Sequence, residues 1–198
     1  MQQEEHQLTE QESLELITRM INKAKSDYAE TGISALMWGT VVTFCSLAVF
    51  AGYYMHWPNI DYVWFLTFIA VIPQIIISIR ERKKRKFTTY SNDAMGGIWI
   101  SFGITMFLLS YFTSEVHVEN PTPLFLIVYG IPTFATGFTC RFKPMIIGGI
   151  ACWIFSIICI YISFPYTMLL TASAAQLAWF IPGLILRKRY LKAKLQHV

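Results

Sequence analysis

The sequence predicts an all-α membrane protein: a polytopic bundle of six transmembrane helices, arranged as three hairpins, with an N-terminal amphipathic helix. Of the 198 residues, 55% are hydrophobic and 14% are charged, whereas soluble domains average about 45–50% and about 25%. The charges are also clustered, because ten of the 28 fall within residues 1–32. This distribution excludes a soluble enzyme, a disulfide-rich secreted domain and a disordered chain.

Six segments are long and apolar enough to cross a bilayer, which needs about 20 residues in a helix. They lack the alternation of polar and apolar residues that barrel strands show. The predicted spans are Ile33–Tyr54, Asp61–Ile79, Ala94–Thr113, Pro123–Cys140, Met145–Ser163 and Tyr166–Leu186. We therefore expect a cytoplasmic amphipathic helix in residues 1–32, a transmembrane domain in 33–186 and a basic cytoplasmic tail in 187–198.

The positions of the basic residues predict the orientation. All 16 Lys and Arg residues fall on one side of the six spans if the N-terminus shares that side. Cytoplasmic loops carry the excess of Lys and Arg, so both termini are expected in the cytoplasm. The loop between spans two and three is the most basic, and topology accounts for it. Binding of acidic lipid headgroups is the alternative, through Arg80, Arg82, Lys83, Lys84, Arg85 and Lys86. The loop is too short to indicate nucleic-acid binding.

The three hairpins share features that suggest an internal repeat over residues 33–79, 94–140 and 145–186. Each odd span carries a tryptophan near its inner end, namely Trp38, Trp99 and Trp153. Each even span contains an Ile-Pro step, at Pro73, Pro132 and Pro182. Each of these features also has a separate explanation in membrane proteins. Proline kinks a helix, so these residues either shape a static bundle or act as hinges.

The central parts of the spans contain no Asp, Glu, Lys, Arg or His, the residues that usually mark proton relays and ion pathways. The strongest polar groups there are Gln74 and Gln176, which we expect to make interhelical hydrogen bonds or to contact a solute. No catalytic motif is present, and we expect no metal and no cofactor. Trp57, Tyr62 and Trp64 are expected to anchor the outer interface, and Trp179 the inner one.

Residues Thr9–Ala29 are predicted to form an amphipathic helix. Thr9 with Glu12 matches a capping box, and Gly32 marks the end of the segment. An apolar stripe recurs at helical spacing. Its members are Leu14, Ile17, Ile21, Ala24 and Tyr28. This candidate partner face would pack against the cytoplasmic side of the bundle or against a second copy of the protein.

The segments Glu12–Ile17, Met20–Lys25 and Gly32–Gly39 together resemble a family of small, uncharacterised bacterial membrane proteins of the Bacteroidetes type. The resemblance implies six spans and a location in the bacterial inner membrane. It implies no catalytic residues.

These features favour a non-enzymatic membrane protein that acts through partners or self-association, as a sensor, regulator or assembly subunit. Its expected partners are the lipid bilayer and either further copies of itself or another membrane protein. The alternative is a carrier or channel for a neutral or apolar small solute, which would use the Pro-kinked even-numbered helices. A polar cavity at Gln74 or Gln176 would favour transport, whereas a filled centre would count against it.

Overall fold

The computed structural model describes Thr9, Leu14, Glu15 and residues 31–84 and 90–196; the side chains of residues 84, 90–93 and 196 are outside this description. The described residues contain no strand, and six of their helices are long and apolar enough to cross a membrane. The prediction of an all-α membrane bundle is therefore confirmed. Leu14 belongs to a helical turn. The other members of the candidate partner face, Ile17, Ile21, Ala24 and Tyr28, lie outside the described residues, as do Arg85 and Lys86.

The six spans follow one another through short connections. The first five contain α1 (Ile33–Tyr54), a 3-10 turn (Ile60–Trp64) leading into α2 (Phe65–Lys84), α3 (Tyr90–Glu115), α4 (Thr122–Thr139) and α5 (Lys143–Ile160). The last span is built from α6 (Tyr166–Ala175), a π-helical turn (Gln176–Phe180) and α7 (Ile181–Gln196). It continues well past the predicted end at Leu186, because the Lys, Arg, Leu and Ala residues that follow are strong helix formers.

The last span forms the centre of the bundle. α1 and α5 each pack against it, and α4 packs along α5. On the outside, α2 contacts α1 and α3 contacts α4. In the apolar window of the last span 44% of the residues are buried, against 39% in α4, 33% in α5 and 28% in α1. The corresponding share is 6% for the spans of α2 and α3. The molecule thus has a core of four spans with two flanking spans.

Glycines bring the backbones of the core together. A Cβ atom added at Gly39 would lie 2.7 Å from the backbone nitrogen of Phe180, and one at Gly148 would lie 2.5 Å from Cα of Ala178. Small residues allow this close approach of membrane helices. The π-helical turn is therefore held between α1 and α5 at van der Waals contact with their backbones.

Three contacts bring the basic ends of the helices to one end of the bundle. The Thr31 hydroxyl donates to the Glu81 carboxylate of α2. A Cβ at Gly32 would lie 2.9 Å from the backbone nitrogen of Arg187. The Arg189 guanidinium lies 5.2 Å from the ring centre of Phe142, in the turn between α4 and α5. We call this end, with the basic residues of α2, of that turn and of α7, the basic end.

Candidate functional site

The last span is interrupted by its π-helical turn just before Pro182. The Ile181 amide donates to the carbonyl of Gln176, five residues earlier, and Pro182 itself has no amide to donate. The turn therefore holds one residue more than an α-helical turn would. π-helical turns are rare in proteins, and those that occur are often found at functional sites.

The three candidate hinge prolines occupy different surroundings. Pro132 and Pro182 are fully buried, whereas Pro73 is exposed on the side of α2. Pro73 and Pro132 both lie inside continuous α-helices. Of the three, Pro182 is the one that directly follows a widened turn.

Trp179 projects from the π-helical turn into an aromatic cluster. We define this cluster as Trp38, Trp99, Phe102, Tyr129 and Trp179. The Trp179 ring centre lies 6.2 Å from that of Trp38, 5.9 Å from Trp99 and 4.9 Å from Tyr129. These rings belong to α1, α3 and α4, so one side chain links the last span to three others. Edge-to-face and tilted pairs of this kind add stability beyond their buried area.

A hydrogen-bond chain fixes the orientation of Trp179. Its indole Nε1 donates to the Thr133 hydroxyl over 2.9 Å, and that hydroxyl donates to the Tyr129 carbonyl over 2.9 Å. Trp179 is only 3% exposed, so its expected role as an interfacial anchor was wrong. Its partner Thr133 lies 46 residues away in the chain, and nothing in the local sequence around Trp179 indicated it.

Both glutamines of the spans join neighbouring helices. The Gln176 amide donates to the Thr43 hydroxyl of α1 over 2.8 Å. The Gln74 carbonyl oxygen accepts from the indole Nε1 of Trp38 over 3.0 Å, and its amide donates to Ser78 on its own helix. The two side chains therefore connect α1 to the last span and to α2.

Among the described residues, the cavity beside the aromatic cluster has a volume of about 10 Å³. Its lining is almost wholly apolar and includes Val42, Leu126, Tyr129 and Cys152. This space is at the lower limit for a single water molecule, and neither Gln74 nor Gln176 lines it. In this conformation the centre of the bundle is filled.

The tryptophans of the possible repeat do not occupy equivalent positions. Trp38 and Trp99 both contact Trp179. Trp153 instead donates to the Ile127 carbonyl over 3.2 Å and lies 5.3 Å from the Phe134 ring. Trp153 therefore fixes α5 to α4, and the threefold repeat stays a prediction.

One face of α3 carries small and large side chains in alternation. Gly96, Ile100, Gly103, Phe107 and Ser110 follow at spacings of four, three, four and three residues; we call this face the α3 seam. Ile100 is 67% exposed and Phe107 is 59% exposed. Among the described residues, no atom lies within 4 Å of a Cβ built at Gly96 or Gly103. The α3 seam was not predicted from the sequence, although its 3.5-residue average spacing is the signal of a helix-pairing face.

The polar residues of the opposite end form no metal site in the part of the chain that the structure describes. No group of three His, Cys, Asp or Glu side chains there could hold an ion. At the basic end, Arg80, Arg82 and Lys83 are exposed, whereas the side chain of Lys84 is outside the description.

Comparisons of this chain with protein-family models, with curated proteins and with solved structures gave no match.

Proposed function

We propose that this integral membrane protein is non-enzymatic and acts by binding another transmembrane helix through the α3 seam. That helix belongs to a partner membrane protein or to a second copy of the chain, for which the protein serves as a sensor, regulator or assembly subunit. The observation that carries the proposal is that all three glycines of α3, Gly96, Gly97 and Gly103, meet no atom of the described residues, and that two of them lie on the α3 seam. The span that holds them buries almost none of its residues.

Exposure of apolar side chains alone carries no weight in a membrane, because lipid tails are as apolar as leucine. Glycine is different, since it costs a helix about 1 kcal/mol relative to alanine. Gly39 and Gly148 offset this cost by close packing inside the bundle. In the part of the chain that the structure describes, Gly96 and Gly103 have no such packing, so a close approach by an external helix explains them.

The surroundings of α3 leave room for such a helix. In the described part of the chain, no Cα atom of α2 lies within 8 Å of one in α3, although the two helices are consecutive. The alternation along the α3 seam has the spacing that left-handed helix pairs use in membranes and in water. A partner helix would set its larger side chains against Gly96, Gly103 and Ser110.

We place the protein in the bacterial inner membrane with the basic end in the cytoplasm. The clustering of Lys and Arg at one end supports this orientation. The resemblance to bacterial membrane proteins supports the compartment.

The test compares two substitutions on the same helix. Gly103→Leu fills the α3 seam, whereas Ser101→Leu adds similar bulk at an exposed position roughly 200° around the helix. The complex is purified in a mild detergent after expression in its own membrane, and its mass and composition are measured. We expect Gly103→Leu to dissociate the complex and Ser101→Leu to retain it. A complex that both variants leave unchanged would refute the proposal.

One observation favours a second function, transport of a neutral solute: the π-helical turn beside Pro182 is a point at which the last span could bend. Proteoliposomes and empty liposomes can be compared for glycerol permeability by light scattering. Faster glycerol entry that Pro182→Ala changes would favour the carrier. Equal rates, which we expect from the filled centre, would exclude glycerol transport.

A further inference from the structure

The end of the last span projects beyond the membrane. The apolar helix unit Tyr166–Leu195 has 30 residues, which at about 1.5 Å each amount to about 45 Å. The hydrocarbon core is about 30 Å thick, so about ten residues of α7 extend past it. This projecting part carries five basic residues, Arg187, Lys188, Arg189, Lys192 and Lys194.

An apolar strip runs along the outer side of the projecting helix. Arg189 lies over the Phe142 ring, and Arg187 and Tyr190 are half-buried against the bundle. Leu191 and Leu195 lie roughly 200° and 240° around the helix from Arg189, away from the Phe142 contact. Leu191 is 44% exposed and Leu195 is 79% exposed. Two leucines one turn apart, beyond the hydrocarbon, form a surface that an apolar partner would cover.

The two described residues that precede α1, Thr31 and Gly32, contact α2 and α7. Thr31 is bonded to Glu81 of α2, and Gly32 lies against Gly183 and Arg187 of α7. The described chain that leads into α1 therefore starts, at Thr31, between α2 and α7 at the basic end. The sequence predicts an apolar stripe on residues 1–30, and its described member, Leu14, is 64% exposed.

The charges of the two surfaces are complementary. Residues 1–15 contain five glutamates and no Lys or Arg. In the sequence, residues 80–93, 141–143 and 187–194 together contain 13 Lys and Arg residues and two acids, Glu81 and Asp93. An acidic segment is repelled by anionic lipid and attracted by this end of the protein.

We propose that residues 1–30 dock on the basic end of their own chain, with the apolar stripe over Leu191 and Leu195 and the glutamates over the surrounding bases. The predicted helix Thr9–Ala29 has 21 residues and a length of about 31 Å. Packed helices are about 8–10 Å apart, so the segment is long enough to cross the ends of three helices. The docking is independent of the α3 seam and of the function proposed for it.

The experiment places a photoreactive benzoylphenylalanine at Leu195 of the full chain in zwitterionic phosphatidylcholine nanodiscs. We expect an adduct of monomer mass whose cross-linked peptide maps within residues 1–30. The matched control carries the probe at Tyr161, which is 84% exposed and follows the outer end of α5. That probe is expected to give no adduct with residues 1–30.

Two charge variants test the docking further. The acidic variant neutralises the glutamates of residues 1–15, and its substitutions are Glu4→Gln, Glu5→Gln, Glu10→Gln, Glu12→Gln and Glu15→Gln. We expect its adduct yield to fall about fivefold or more, since several surface ion pairs are lost together. The control variant, with Arg19→Gln, Lys23→Gln and Lys25→Gln, should keep the full yield.

Three outcomes would overturn the docking. An adduct of twice the monomer mass would assign the surface to a second copy. An adduct with lipid alone would assign it to the membrane. A yield that the acidic variant leaves unchanged would show that the charges do not hold the segment in place.

Discussion

At the residue scale, Trp179 is the side chain that links the last span to three other spans. The sequence around it did not indicate this role. Its ring meets rings from three other spans, and its indole nitrogen has a buried acceptor in Thr133. Burial of a tryptophan requires such an acceptor, because an unpaired indole N–H would remain desolvated. Trp179 was expected at an interface because tryptophan is common there. Its true position depends on a contact that only the fold creates.

The close packing at Gly148 makes a prediction about stability. Gly148→Ala should lower the free energy of unfolding by about 2 kcal/mol, because the new Cβ meets the backbone of Ala178. The control is Gly97→Ala, whose Cβ meets no atom of the described residues within 4 Å. That change should be neutral or stabilising by about 0.5–1 kcal/mol. Unfolding in mixed micelles with increasing dodecyl sulfate measures both, and equal losses would contradict the packing described for Gly148.

At the element scale, hydropathy predicted where the spans lie but not which of them form the core. The span of α2 is the most hydropathic of the six and buries 6% of its window, whereas α4 is the least hydropathic and buries 39%. In a bilayer, hydropathy reports contact with lipid, and small or hydroxylated residues report contact with protein. Gly130, Thr133, Thr136 and Gly137 of α4 are all buried, and they illustrate this rule.

The π-helical turn could not be predicted from the sequence. The turn differs from an α-helical turn only in the spacing of its backbone hydrogen bonds, so neither the composition nor the hydropathy of the segment indicates it. Pro182 indicated a distortion nearby, and the prediction of kinks at three equivalent prolines did not distinguish it from Pro73 and Pro132. The distinction comes from packing against Gly39 and Gly148, on spans distant in sequence.

A single-residue deletion tests the π-helical turn. Deletion of Leu177 should convert it into an α-helical turn and leave α6 and α7 in their present orientations, because the turn holds one extra residue. Deletion of Leu169, inside the regular α6, should rotate everything after it by roughly 100° and break the core. We expect the first variant to fold and melt cooperatively by circular dichroism in detergent, and the second to misfold. Equal damage by both deletions would contradict the π-helical assignment.

At the scale of the whole molecule, four spans make a filled core and two spans flank it. The sequence correctly indicated the number of spans, since each is an apolar run bounded by charges or turns. It did not indicate the unequal burial of the spans, because burial depends on which helices become neighbours. It named Gln74 and Gln176 as the polar groups of the interior, and both are found in bonds between helices.

The function proposed above uses the side of the molecule rather than its centre. The cavity of about 10 Å³ beside the aromatic cluster has room for about one water molecule in this conformation. The flanking helix α3 presents Gly96 and Gly103 to open space. A protein that works through its lateral surface should therefore depend more on the α3 seam than on the interior glutamines.

The most direct test of binding through the α3 seam is photocross-linking in the native membrane. Benzoylphenylalanine is placed at Gly103 in one variant and at Ser101 in the other. The two positions share a helix and a depth and differ only in the face they occupy. If a helix binds the α3 seam, position 103 should give a discrete protein adduct, either of dimer mass or with one fixed partner. Position 101 should give lipid adducts alone. Lipid adducts alone from both positions would contradict it.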